Sequence, residues 1–187
     1  MYVLGVDIGT TGTKAMLINE DGNVVKSAYS GYTLINERMG FVEQDADDWW
    51  KAFVMTVREC VADVEDKHNI LAVSMSTQGG SMVPVDGKGT PLSNAMVWMD
   101  FRGREQCRQL IEQKGENFYY RKTGWRLNTG LNLVKIKWIK DVRQDLFNSV
   151  ILEGINDEVH IKSTIASLAV RNWIEQKKLT AFTINFL

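Results

Sequence analysis

The chain has 187 residues, 22 Lys plus Arg against 23 Asp plus Glu for a formal net charge of -1, and an ordinary balance of 44% hydrophobic and 24% charged residues. That length allows one domain, or one domain with a small appendage, and the near-neutral charge excludes a basic field that would recruit nucleic acid or an anionic membrane. Neither a charged leader with a long apolar stretch nor an apolar run of membrane length is present, so a soluble cytoplasmic protein is expected.

Residues 2–19 open the chain with an apolar run, then Asp7, then Gly9, Thr10, Thr11, Gly12, Thr13 and Lys14, and a second apolar run, residues 15–18. This predicts two strands joined by a glycine- and threonine-rich turn. Glycines let successive backbone N–H groups face one side, threonines add hydroxyl donors and a lysine sits close by, which suits an anion such as phosphate. Asp7, at the end of the first strand, suits a magnesium ion or its water shell. The same residues also make an ordinary soluble hairpin turn.

A third extended run, residues 24–29, completes an antiparallel meander. Asp45 then predicts a helix cap, Asp47 and Asp48 favour the first turn, and Trp49, Phe53, Val57, Cys60, Val61 and Val64 recur at helical spacing. The acidic cluster is read as serving the helix dipole, and Trp49 and Trp50 as packing residues. Residues 70–76 form a predicted strand ending at Thr77-Gln78-Gly79-Gly80, residues 81–85 a further strand, residues 86–89 a turn, and residues 95–98 a buried strand ending near Asp100 and Arg102. Ligands of open α/β sheets collect beyond strand ends, so Gln78, Asp100 and Arg102 are where a polar substrate would be read. Asp100 also fits a helix cap paired with Arg102 or Arg104.

Helices are predicted over residues 105–114 and 117–122, and a third carries Val134, Trp138 and Ile139 as its apolar stripe, with its basic residues as the solvated face. Cys60 and Cys107 fall in predicted helices and read as small core residues of a reducing compartment. His68 and His160 lack partners at ligand spacing and are given no metal role. Residues 147–157 mark a candidate boundary, followed by a helix over residues 164–177 and a final strand over residues 180–187.

Taken together, GVDIGTTGTKAML (residues 5–17), VEQDADDWW (42–50), STQGG (76–80), WMDFR (98–102) and TGWRLNTGLNLVKIKWIKD (123–141) occur in the order seen in the FGGY carbohydrate kinases. The chain resembles the N-terminal domain of that family, nearest in pattern to xylulokinase-like and gluconokinase-like members, over about its first 150 residues; residues 151–187 match poorly and would complete or truncate the same domain. Joint occurrence in order is far more specific than any one motif.

The resemblance implies an α/β, actin-like ATPase (ribonuclease H-like) domain, a mixed sheet with N-terminal antiparallel strands flanked by helices. It also implies ATP and Mg2+ as co-substrates and transfer of the terminal phosphoryl group to a sugar or polyol hydroxyl. By position, Asp7 would serve the metal, Gly9, Thr10, Thr11, Thr13 and Lys14 the ATP phosphates, and Gln78, Gly79, Trp98, Asp100 and Arg102 the sugar. Xylulokinases proper follow the glutamine with Met-His, whereas this chain has Gly79-Gly80, so the acceptor stays open among xylulose, another keto sugar and a polyol. Family members carry a second domain with the catalytic aspartate, and the chain ends before it; the expectation is an N-terminal half with little kinase activity alone. Its apolar end, residues 185–187, then predicts self-association unless the tail folds back. Two other readings stand beside this one: a non-catalytic sugar-binding or interaction module, and another kind of actin-like ATPase.

Overall fold

The computed structural model of the protein describes residues 1–154. These divide into two compact units, the first made of Met1–Thr33 and Ala46–Gly79, the second of Leu34–Asp45 and residues 80–154.

The first unit is built on strands β1 (Tyr2–Ile8), β2 (Gly12–Asn19), β3 (Val24–Gly31) and β5 (Ile70–Thr77), in the order β3-β2-β1-β5. β1, β2 and β3 form the expected antiparallel meander, while β5 pairs parallel to β1. The alternation of the pleat sends Leu4, Val6, Ala15, Leu17 and Ala28 to one face, where they are buried with Cys60 and Val64. Helix α1 (Ala46–Val61) covers that face, packing Phe53, Val57 and Val61 against it. Asp47 and Asp48 sit in its first turn, where the helix dipole favours negative charge. Trp50 departs from the packing expected of it: it is exposed and stacks on Phe53 at 5.5 Å between ring centroids, because it lies outside the apolar stripe.

The second unit holds a two-stranded ribbon, β4 (Glu43–Gln44) with β6 (Ala95–Met96), and helices α2 (Arg104–Lys114), α3 (Glu116–Thr123), α4 (Asn132–Val142) and α5 (Gln144–Gly154). The helices expected over residues 105–114 and 117–122 are present. Gly115 (φ 80°) separates them, and Gly124 (φ 74°) ends the second in the left-handed region. The strand expected over residues 81–85 is replaced by isolated bridges, Met82 to Met96 and Val85 to Pro91, and the strand over residues 95–98 pairs only at Ala95 and Met96. Pro84 has no N–H to give a ladder. The turn over residues 86–89 forms, with the Asp86 carboxylate accepting from the Lys88 and Thr90 N–H groups at 2.8 Å each. Where a boundary was expected from residue 147, α5 continues the helical series, and Leu146 packs with Ile139 and Met96.

Cys60 and Cys107 are buried free thiols inside α1 and α2, as read from the sequence. Among the described residues, no helix is long and apolar enough to cross a membrane. His160 and the segments expected over residues 164–177 and 180–187 lie outside the described residues.

Candidate active site

Parallel pairing of β1 with β5 brings two sequence-distant segments to one end of the first unit's sheet. β1 ends at Ile8 and β5 at Thr77, which are register partners, and the Gln78 N–H extends the ladder by donating to the Ile8 carbonyl at 2.8 Å. Asp7 pairs across the hairpin with Lys14, so both side chains leave the same face of the sheet, and both are exposed. The strand end therefore collects Asp7, the turn from Gly9 to Gly12, Lys14, Gln78 and Gly79.

The turn is closely built. Gly9 N–H donates to the Gly12 carbonyl at 3.0 Å, and a Cβ at Gly9 would stand 3.3 Å from that oxygen and 3.8 Å from Asp7 Oδ2. At Gly12 a Cβ would stand 2.7 Å from the Ser30 carbonyl and would collide with the Tyr29 phenol. Thr10 is half-buried and Thr11 exposed. Thr13 is fully buried and does not face solvent.

The remaining predicted residues, Trp98, Asp100 and Arg102, belong to the second unit. Trp98 is 49% exposed. Its backbone is closely hemmed: a Cβ on Gly80, where φ is 70°, would meet the Trp98 Cβ at 3.3 Å, and one on Gly130 would meet the Trp98 carbonyl at 2.7 Å. Asp100 and Arg102 are buried, with side chains 1% and 4% exposed. Asp100 Oδ2 accepts the Val42 N–H at 2.8 Å, Oδ1 accepts the Arg102 N–H at 3.1 Å, and both oxygens accept Arg102 Nε at 2.9 Å. The cap expected of Asp100 goes to Gly103, which begins α2 without a side-chain bond. Arg102 Nη2 also donates to Glu43 Oε1 at 2.5 Å, while its guanidinium carbon lies 3.8 Å from the Phe41 ring centroid and 5.0 Å from that of Trp138.

Sequence reasoning missed three parts of this arrangement. Glu43 and Phe41 reach Arg102 only through tertiary contact. Lys135, read with the solvated face of its helix, is 1% exposed and donates to the carbonyls of Met96 at 3.4 Å and Gly80. Burial is the main reason its ammonium falls to about 8, opposed by the Asp100 charge and aided by Arg102. Its position one residue after Val134 and four before Ile139, both buried, was the available signal. Tyr29 and Tyr32, at the end of β3, were also missed; their hydroxyls donate to the carbonyls of Thr11 at 3.0 Å and Gly9 at 2.6 Å. A separate open depression of about 540 Å³, lined in part by Arg104, Cys107, Arg108 and Asn128, contains none of the predicted residues.

A mixed sheet whose first hairpin carries a glycine turn beside an acidic strand end, with a parallel strand ending next to it, is the pattern of actin-like ATPase domains. Comparison with known proteins gives the family. Residues 2–178 match the FGGY family of carbohydrate kinases, N-terminal domain, and the chain belongs to that family. It is 32% identical over 149 residues to a xylulose kinase of Staphylococcus epidermidis, covering 79% of this chain and 29% of that protein. A glycerol kinase of Malacoplasma penetrans is 34% identical over 140 residues, covering 74% of this chain and 28% of the relative. The crystal structure of ligand-bound xylulose kinase from Lactobacillus acidophilus superposes with a TM-score of 0.75 at 27% identity, covering 80% of this chain and 30% of that one. The chain thus spans about 30% of the length of these proteins.

Proposed function

We propose that this chain provides the phosphate-binding and part of the sugar-reading surface of a cytoplasmic, ATP-dependent carbohydrate kinase that transfers the terminal phosphoryl group to a sugar or polyol hydroxyl. One observation carries the reading: Asp7, the glycine turn, Lys14 and Gln78 share the end of the sheet where β1 and β5 stop. In this reading Gly9, Thr10, Thr11, Thr13 and Lys14 make up the turn that holds the ATP phosphates, with Thr13 as its buried member, while Gln78 and Gly79 of the first unit, and separately Trp98 of the second, are the sugar-reading residues. Asp100 and Arg102 belong to the sugar pocket by fixing the segment that presents Trp98, since the Asp100 carboxylate and the Arg102 Nε and Nη2 are spent on each other and on Val42 and Glu43.

The residues present fit ATP and Mg2+. At Gly12 the space of a Cβ is filled by the Tyr29 phenol and the Ser30 carbonyl, so only glycine lets the turn pack this closely on β3. Among the described residues no group of three His, Cys, Asp or Glu side chains could hold a metal ion. A single exposed carboxylate, Asp7, is what Mg2+ needs when phosphate oxygens and water complete its shell. Bound there, the ion supplies charge neutralisation of the phosphate oxygens. Lys14 adds a point charge beside the turn and Gln78 orients a hydroxyl by hydrogen bonding. Similar identity to a xylulose kinase and a glycerol kinase supports a polyhydroxylated acceptor without choosing one.

Titration calorimetry with MgATP tests the reading on the 187-residue chain. Asp7→Asn and Lys14→Ala should each weaken binding by roughly tenfold or more, the value of a charge-assisted contact. Wild-type affinity in both variants would refute it. A second reading, a sugar-binding module without transfer, draws on the full engagement of the Asp100 carboxylate, which leaves it no lone role as a base. That module would bind sugar without ATP, and Asp7→Asn would leave its sugar affinity unchanged.

A further inference from the structure

Every carbonyl of the turn for which a partner is fixed accepts from inside the first unit. The Gly9 carbonyl takes the Tyr32 hydroxyl at 2.6 Å, and the Thr11 carbonyl takes the Tyr29 hydroxyl at 3.0 Å and the Tyr32 N–H at 3.2 Å. The Gly12 carbonyl takes the Gly9 N–H at 3.0 Å. A trans peptide carries its C=O and N–H on opposite sides. Holding the Gly9 carbonyl against Tyr32 therefore directs the Thr10 N–H away from β3, and holding the Thr11 carbonyl does the same for the Gly12 N–H. We propose that Tyr29 and Tyr32 are positioning residues that orient the peptide planes of the 9–12 turn so that an incoming polyphosphate meets backbone donors rather than carbonyl oxygens.

The inference rests on the reading of this turn as the phosphate site. Two features give the phenols their leverage. The Tyr29 ring lies against Gly12 where any Cβ would collide with it, so ring and turn are in direct contact. Tyr32 is half-buried, and burial raises its hydroxyl from the ordinary phenol value, opposed by a hydrogen bond with Thr13 and aided by the charge of Asp7. An anion site of backbone N–H groups works only while carbonyl dipoles are turned away, since an oxygen facing a phosphate repels it. Of the two residues Tyr32 has the greater hold, because its hydroxyl and its N–H fix two different carbonyls.

The test measures inorganic tripolyphosphate with Mg2+ on the 187-residue chain, together with hydrogen exchange of the turn amides. Tyr32→Phe keeps the ring and removes one donor; it should weaken tripolyphosphate binding by roughly five- to tenfold and lessen the protection from exchange that tripolyphosphate gives the Thr10 amide. Tyr29→Phe should act in the same sense but more weakly, since the Thr11 carbonyl keeps the Tyr32 N–H. Tyr120→Phe, an exposed tyrosine of α3, should change neither. A purely structural role would lower the melting temperature while leaving affinity and the tripolyphosphate protection of Thr10 as in wild type, and that result overturns the inference. If Lys14→Ala binds as tightly as wild type, or wild type binds no tripolyphosphate, the phosphate reading itself fails and the inference falls with it. Should Tyr32→Phe not fold, Tyr29→Phe alone decides, and wild-type binding by it counts against the proposal.

Discussion

Arg102 draws three separated stretches of sequence onto one guanidinium. Phe41 and Glu43 come from the segment before α1, Asp100 from the Trp98–Arg102 motif, and Trp138 from α4. A buried ion pair is stable only when its remaining lone pairs and protons are satisfied, and here both Asp100 oxygens and two faces of Arg102 are occupied. Lys135 is a second buried cation of the same unit, and its titration is testable. Below about pH 8 it is charged folded and unfolded. Between about 8 and its ordinary value of 10.5 the unfolded chain holds a proton that the folded chain has released, so this group makes stability rise with pH. Melting temperatures of wild type and Lys135→Met, compared from pH 7 to 9.5, should show wild type gaining on the variant as pH rises. A constant difference would contradict the assignment. Asp7, Gly9 and Lys14 were legible in the sequence because their meaning is local: a strand end followed by a turn. Lys135, Glu43 and Tyr32 were not, since each acquires its role from a residue 23 to 59 positions away.

At the scale of the element, the hairpin and the strand beside it carry the account. Gly12 and Gly5 lie in neighbouring strands but differ in surroundings: a Cβ at Gly12 meets the Tyr29 phenol and the Ser30 carbonyl, whereas one at Gly5 meets nothing within 4 Å. Gly12→Ala should therefore cost about 1–3 kcal/mol in chemical denaturation, the range for forced overpacking, and weaken MgATP binding. Gly5→Ala should be close to neutral in both. Equal effects would show that strand propensity, not the contact with Tyr29, governs Gly12. The meander, α1 and α2 to α4 were readable because period-2 and helical alternation are strong there. Residues 81–85 misled because an apolar run looks alike whether or not it finds a ladder, and Pro84 denies it one. α5 was overlooked because Gly154 and Asn156 suggest a break while Leu146 and Phe147 carry only a short stripe.

At the scale of the whole chain, the two units divide the sequence-predicted residues: Asp7, the turn and Gln78 to one, Trp98, Asp100 and Arg102 to the other. Among the described residues, Asp7 is the carboxylate proposed to hold Mg2+ and the Asp100 carboxylate is fully bonded, so neither is left to take a proton from an acceptor hydroxyl. The 187-residue chain by itself is accordingly expected to give no sugar-dependent ATP turnover in a coupled assay, and measurable turnover would place a general base within it. The family was legible from five motifs in order, while the acceptor was not, because Gly79-Gly80 departs from the Met-His that the resemblance to xylulokinases leads one to expect after the glutamine. The most direct test of the central claim is a backbone-amide map of the 15N-labelled chain with MgATP. Chemical-shift changes centred on residues 7–14 with Gln78 are predicted; changes centred on the depression at Arg104, Cys107 and Asn128, with the hairpin unmoved, would contradict it.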